Sequence, residues 1–142
     1  MVWVLAGCQS LFKDDIISRD AEETFSKTDR RIKEDRTFSG LTRLKESVAA
    51  YDKAENKIPA RLEDLIPKYL AEMPAIELSI SAHKDTTEAF VYPRAVLRDG
   101  RVDGSRISDT GRWGYVFNDQ QAVVFVDCTH KSSRGKPWYL ER

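Results

Sequence analysis

The sequence predicts a segregated α+β domain, with one long N-terminal helix packed on a small antiparallel β-sheet. Three observations carry that expectation. Residues 21–53 contain no proline and are rich in charged helix formers. Within them Leu41, Leu44, Val48 and Tyr51 recur at spacings of three and four, which puts one apolar stripe on one helix face. Beyond Met73-Pro74 the pattern changes to short β-prone runs separated by turn signals. A helix followed by such strands closes most simply as two layers.

A chain of 142 residues is long enough for a single core of that kind. The domain is expected over 21–142, with residues 1–20 as a signal remnant and tether. Phe25 and Ile32 give the first half of the helix only a faint stripe, so that half is expected to project into solvent. Asn56 suits a left-handed cap ending the helix. Next, Leu62, Leu65, Ile66, Tyr69 and Leu70 are spaced for one buried face, while Pro67 forces a break near Ile66.

The strand region begins with Ala89–Tyr92 and Arg94–Leu97, two β-prone runs split by Pro93. Asp99-Gly100 signals a hairpin turn into Arg101-Val102. Trp113–Asn118 alternates, with three aromatics on one face. Ala122–Cys128 is apolar on both faces, as expected of a central strand. A basic loop containing Lys131, Arg134 and Lys136 is read as a solvated turn, and the aromatics Trp138 and Tyr139 are expected to be exposed at a sheet edge or protein contact.

Basic and acidic residues balance at 23 each, so no global field draws the chain to nucleic acid or an anionic surface. The two cysteines differ in context. Leu5-Ala6-Gly7-Cys8 resembles a bacterial lipobox, in which small residues admit a signal peptidase and the cysteine thiol takes a diacylglycerol. On that resemblance Met1–Ala6 is the end of an apolar signal region that extends further upstream, and Cys8 is the lipid attachment residue. Gln9 after the cysteine implies outer-membrane sorting. Cys128 is then left unpaired and is expected to be a buried apolar residue.

The order of elements resembles the globular head of type IV pilin-like proteins, most closely the major pseudopilin of type II secretion systems. The match covers roughly residues 38–142. It rests on the stripe Leu41 to Tyr51, on a connector of the form Tyr-Pro-x-x-Leu-x-x-Leu-x-Pro-x-Tyr-Leu met by Ile58-Pro59 through Tyr69-Leu70, and on Asp109–Tyr115 as the tryptophan-tyrosine strand. Ile58 replaces the aromatic. The resemblance implies a non-enzymatic envelope protein acting by contacts with secretion or pilus proteins, or with further copies of itself, at a periplasmic membrane surface. The chain lacks the pilin family's apolar N-terminal stretch with its glutamate. An alternative is therefore a true pseudopilin subunit in which Val2–Phe12 ends a longer pilin helix.

Candidate chemistry is sparse. Asp99, Asp103 and Asp109 lie on a loop with glycines and are calcium candidates, since hard cations want several oxygens. The resemblance also implies calcium in the sheet loops, and no other cofactor is expected. Cys128 and His130 share a face of an extended strand, the spacing of a thiol and its base, and the second alternative is a small periplasmic thiol enzyme. Asp127 is expected to point away from them. His83 is expected to be exposed, and the histidines and Cys128 do not by spacing compose a zinc site.

Overall fold

Helix α1 (Ser10–Glu55) runs unbroken through the computed structural model, which describes the backbone of residues 10–142 and side chains from residue 18 onward. Cys8 lies outside the described residues. The stretch expected as a tether up to Asp20 is helical from Ser10. It holds neither proline nor glycine, so nothing in it stops the helix from propagating. Among the described residues no helix is long and apolar enough to cross a membrane.

The two halves of α1 differ as the stripe predicts. Leu41 and Leu44 are fully buried, with Phe38 and Val48 beside them, whereas Phe25 is 76% exposed and Ile32 46%. Gly40 explains the one weak point in the helix. A Cβ there would lie 2.9 Å from the Pro74 ring and 3.2 Å from Trp113, so glycine is what lets both pack onto the helix. Asn56 ends α1 with a φ of 53°, the left-handed cap expected of it.

The connector follows the sequence reading. Leu62–Leu65 forms a 3₁₀ turn with both leucines buried, and the chain bends at a cis Ile66-Pro67 bond before Tyr69. Ser47 Oγ donates to Tyr69 O at 3.0 Å, which fastens the connector to α1.

Strand β1 (Ala89–Val91) leads into a 3₁₀ turn at Arg94–Val96, where a strand was expected. Pro93, with its φ fixed at −67°, starts that turn. β2 (Leu97–Arg98) and β3 (Arg101–Val102) form the expected hairpin, with Asp99 and Gly100 at φ of 51° and 73°. β4 (Trp113–Phe117) and β5 (Ala122–Val126) pair antiparallel, Tyr115 opposite Val124. β1 lies parallel to β4, Phe90 opposite Gly114. The sheet order is β1-β4-β5, so the expected antiparallel sheet is mixed. The reason is topological: the β2-β3 hairpin and the loop after it return the chain to the start of β1, and β4 then runs beside β1 in the same direction.

β4, not β5, is the central strand, yet β5 is covered on both faces. Trp113, Tyr115, Val124, Val126 and Cys128 join the helix-side core with Leu41 and Leu44. On the other face Val116 and Phe125 pack with Tyr92, Val96 and Val102. The tips of the β4 aromatics tie the connector down. Trp113 Nε1 donates to Pro74 O and Tyr115 OH to Pro59 O, each at 2.7 Å. Trp138 departs from expectation. It is fully buried against Phe38, ring centroids 4.7 Å apart, within a 3₁₀ turn at Trp138–Leu140, because the space between α1 and the end of β5 needs a large side chain. Tyr139 is half-buried.

Candidate functional site

At the exit of β5 the chain gathers four metal-ligating side chains: His83, Asp109, Cys128 and His130. One ligand atom from each lies within 4.8 Å of every other. It is the one such group among the described residues. Cys128 Sγ is 3.4 Å from His130 Nδ1, and His83 Nε2 is 3.3 Å from Asp109 Oδ1. The two imidazoles meet edge to face with centroids 5.5 Å apart.

Three segments hold the four side chains. The bridge between Ile76 and Thr86 closes the loop that carries His83, and His83 N donates to Ile80 O at 3.1 Å within it. Cys128 and His130 lie just beyond β5, which ends at Val126, where the expected strand ran to Cys128. Cys128 N donates back to Val126 O at 2.8 Å, and the final 3₁₀ turn locks both residues, with Tyr139 N donating to Cys128 O and Trp138 N to His130 O. Asp109 is set by Asp127. That buried carboxylate accepts from Asp109 N, Thr110 N and Thr110 Oγ1, as well as from Tyr92 OH. Asp127 thus points away from the thiol, as its strand position predicts.

His83 is the main correction to the sequence reading. Its side chain is 7% exposed rather than solvated. Gly111, at φ 75°, makes this possible, since a Cβ there would lie 2.7 Å from His83 Cβ and Cγ. Nε2 of His83 is buried and makes no hydrogen bond. Neither the close approach nor the bridge that sets it can be seen in local spacing. The one signal in the sequence is the glycine itself, Gly111 two residues before Trp113, which leaves room for a close approach.

Electrostatics separate the two functional groups. Burial pushes the Cys128 thiol up to about 12, opposite to the depression that a nucleophile needs. Burial also opposes charge on Asp109. The Thr129 N–H (2.9 Å) and hydroxyl (3.1 Å), with His83 and His130 alongside, outweigh it and hold the carboxyl below its usual range. The Cys128–His130 contact read from the sequence is therefore present, but its thiol is buried and protonated.

The three calcium candidates are not brought together. Asp99 occupies the β2-β3 turn. Asp103 Oδ1 accepts from Ser105 N and Oγ, and Oδ2 faces Arg106 at 3.4 Å. Asp109 belongs to the histidine cluster instead. In the basic loop, Arg134 lies over the Phe38 ring, 3.6 Å from its centroid.

No protein-family model matches the chain, and neither a curated protein nor a solved structure does.

Proposed function

We propose that the chain is a non-enzymatic cell-envelope protein with a pseudopilin-like head. It acts by protein contacts in type II secretion or type IV pilus-type machinery and is held to the membrane by a lipid on Cys8. The observation that supports this reading best is the division of α1. Its Leu41–Val48 half is built into the domain, while the half carrying Phe25 and Ile32 stands clear with apolar side chains exposed. An arm of that kind suits assembly better than small-molecule chemistry. The connector adds support, because Pro59 and Pro74 both accept hydrogen bonds from the tryptophan-tyrosine strand, giving the matched motif a structural reason.

The test is carried out in a bacterium expressing the full chain. Wild type should partition to the outer membrane and take up labelled palmitate, and Cys8→Ala should release it to the periplasm without label. A photo-crosslinking amino acid at Phe25 should capture a secretion or pilus component, or a second copy of the chain, whereas the same group at exposed Glu63 should not. Identical fractionation of wild type and Cys8→Ala, with no label in either, overturns the anchor. Equal capture at both positions overturns the arm as the contact.

A further inference from the structure

We propose that His83 Nε2, Asp109, Cys128 Sγ and His130 Nδ1 form a structural zinc site that clips the His83 and Asp109 loops to the segment leaving β5. This goes beyond the envelope reading and does not depend on it. The donors are two imidazoles, a thiol and a carboxylate, a set that suits zinc and is wrong for calcium, which takes oxygen alone. Around a tetrahedral Zn²⁺ with bonds of about 2.0–2.3 Å, ligand atoms stand roughly 3.3–3.8 Å apart. Two of the pairs here already stand at 3.3 and 3.4 Å, and all lie within 4.8 Å, so closing the shell takes only small side-chain movements.

His83 supplies an independent pointer. A buried ring nitrogen with no hydrogen bond is costly, and this one meets the Asp109 carboxylate at 3.3 Å without hydrogen-bond geometry, inside the four-residue cluster. Outer partners are also in place. Thr129 donates twice to Asp109, and Asp127 fixes the backbone of Asp109 and Thr110, the kind of support that orients metal ligands. On binding, the Cys128 thiol releases its proton to solvent and the sulfur donates the electron pair to the metal. With four protein ligands the shell is closed, which makes the site structural rather than catalytic.

The test uses the full chain carrying Cys8→Ser, stripped with a chelator and titrated with Co²⁺ and then Zn²⁺. One equivalent of Co²⁺ should give the intense visible bands of a tetrahedral site and a thiolate-to-cobalt charge-transfer band, both erased by one equivalent of Zn²⁺. Cys128→Ala should lose the charge-transfer band. His83→Gln should weaken zinc by more than about 100-fold, beyond the 10- to 100-fold typical of losing an outer partner. Thr129→Val, which changes no ligand, should weaken it by about 10-fold and guards against misfolded variants. Weak octahedral cobalt spectra, a charge-transfer band that survives Cys128→Ala in folded protein, or no rise in thermal midpoint with zinc would each overturn the proposal.

Discussion

Tyr92 OH donates to Asp127 Oδ2 at 2.7 Å and accepts from Ser108 N at the same distance, so one phenol joins the end of β1, the exit of β5 and the loop that carries Asp109. Asp127 is fully buried and meets the Tyr92 hydroxyl, two backbone N–H groups and the Thr110 hydroxyl. Removing it strands those donors without water. Asp127→Ala is expected to cost about 3–5 kcal/mol, and Tyr92→Phe about 1–2 kcal/mol. Urea denaturation of the two variants measures this, and an Asp127→Ala midpoint equal to wild type would contradict the network.

The halves of α1 should respond differently to truncation. Leu44→Ala opens a cavity under the sheet and is expected to cost about 2–5 kcal/mol. Phe25→Ala and Ile32→Ala remove side chains that touch little and should stay within about 0.5 kcal/mol. Equal losses at Leu44 and Phe25 would mean that the first half of the helix is packed after all.

Periodicity made Leu41 through Tyr51, the Asn56 cap, the break at Pro67 and the Asp99-Gly100 hairpin legible, because each depends on neighbours within a few residues. The direction of β1 beside β4 was not legible, since alternation shows a strand but not its partner. Trp138 was misplaced for a related reason: whether an aromatic covers an edge or fills a core depends on space left by Phe38 and β5, far off in sequence. At the candidate site the Cys128–His130 pair could be read from strand geometry, and Asp127 facing away with it. His83 and Asp109 joined that pair only through the Ile76–Thr86 bridge and the left-handed Gly111, which are tertiary features.

Gly40 tests packing against propensity. Glycine to alanine in a helix interior ordinarily stabilises by about 0.5–1 kcal/mol. Here the new methyl would meet the Pro74 ring at 2.9 Å and Trp113 at 3.2 Å, backed by the short Trp113–Pro74 hydrogen bond. Gly40→Ala is therefore expected to destabilise by about 1–3 kcal/mol, as overpacking does. A rise in thermal midpoint would show that the helix and Pro74 can separate without cost.

Alkaline unfolding should report on two tyrosines. Burial raises both Tyr92 and Tyr115 above the ordinary phenol value, so the folded state favours their neutral forms. A group raised in this way contributes stability that is complete below its unfolded value near 10 and is lost as pH rises beyond it. Stability should thus fall steadily above about pH 10. Tyr115→Phe should flatten that fall while lowering stability at neutral pH through the lost bond to Pro59 O. Denaturant midpoints from pH 8 to 11 decide it, and an unchanged alkaline slope would place Tyr115 in contact with water.

Cys128 discriminates a structural thiol from a reactive one. It is fully buried among Val124, Val126 and Trp138, and burial pushes its thiol up to about 12. At pH 8 the thiolate would be a minute fraction even if reagent could reach it, since each pH interval of one below the pKa cuts it tenfold. In metal-free Cys8→Ser protein, alkylation by iodoacetamide should therefore be slower than that of an unfolded thiol by more than about 1,000-fold. Its rate should rise with urea in step with the unfolded population, because opening of the β5 end controls access. His130→Ala should leave the native rate nearly unchanged, since the imidazole touches the sulfur without activating it. Fast native labelling that collapses on His130→Ala would reverse this assignment and make the pair a nucleophile with its base.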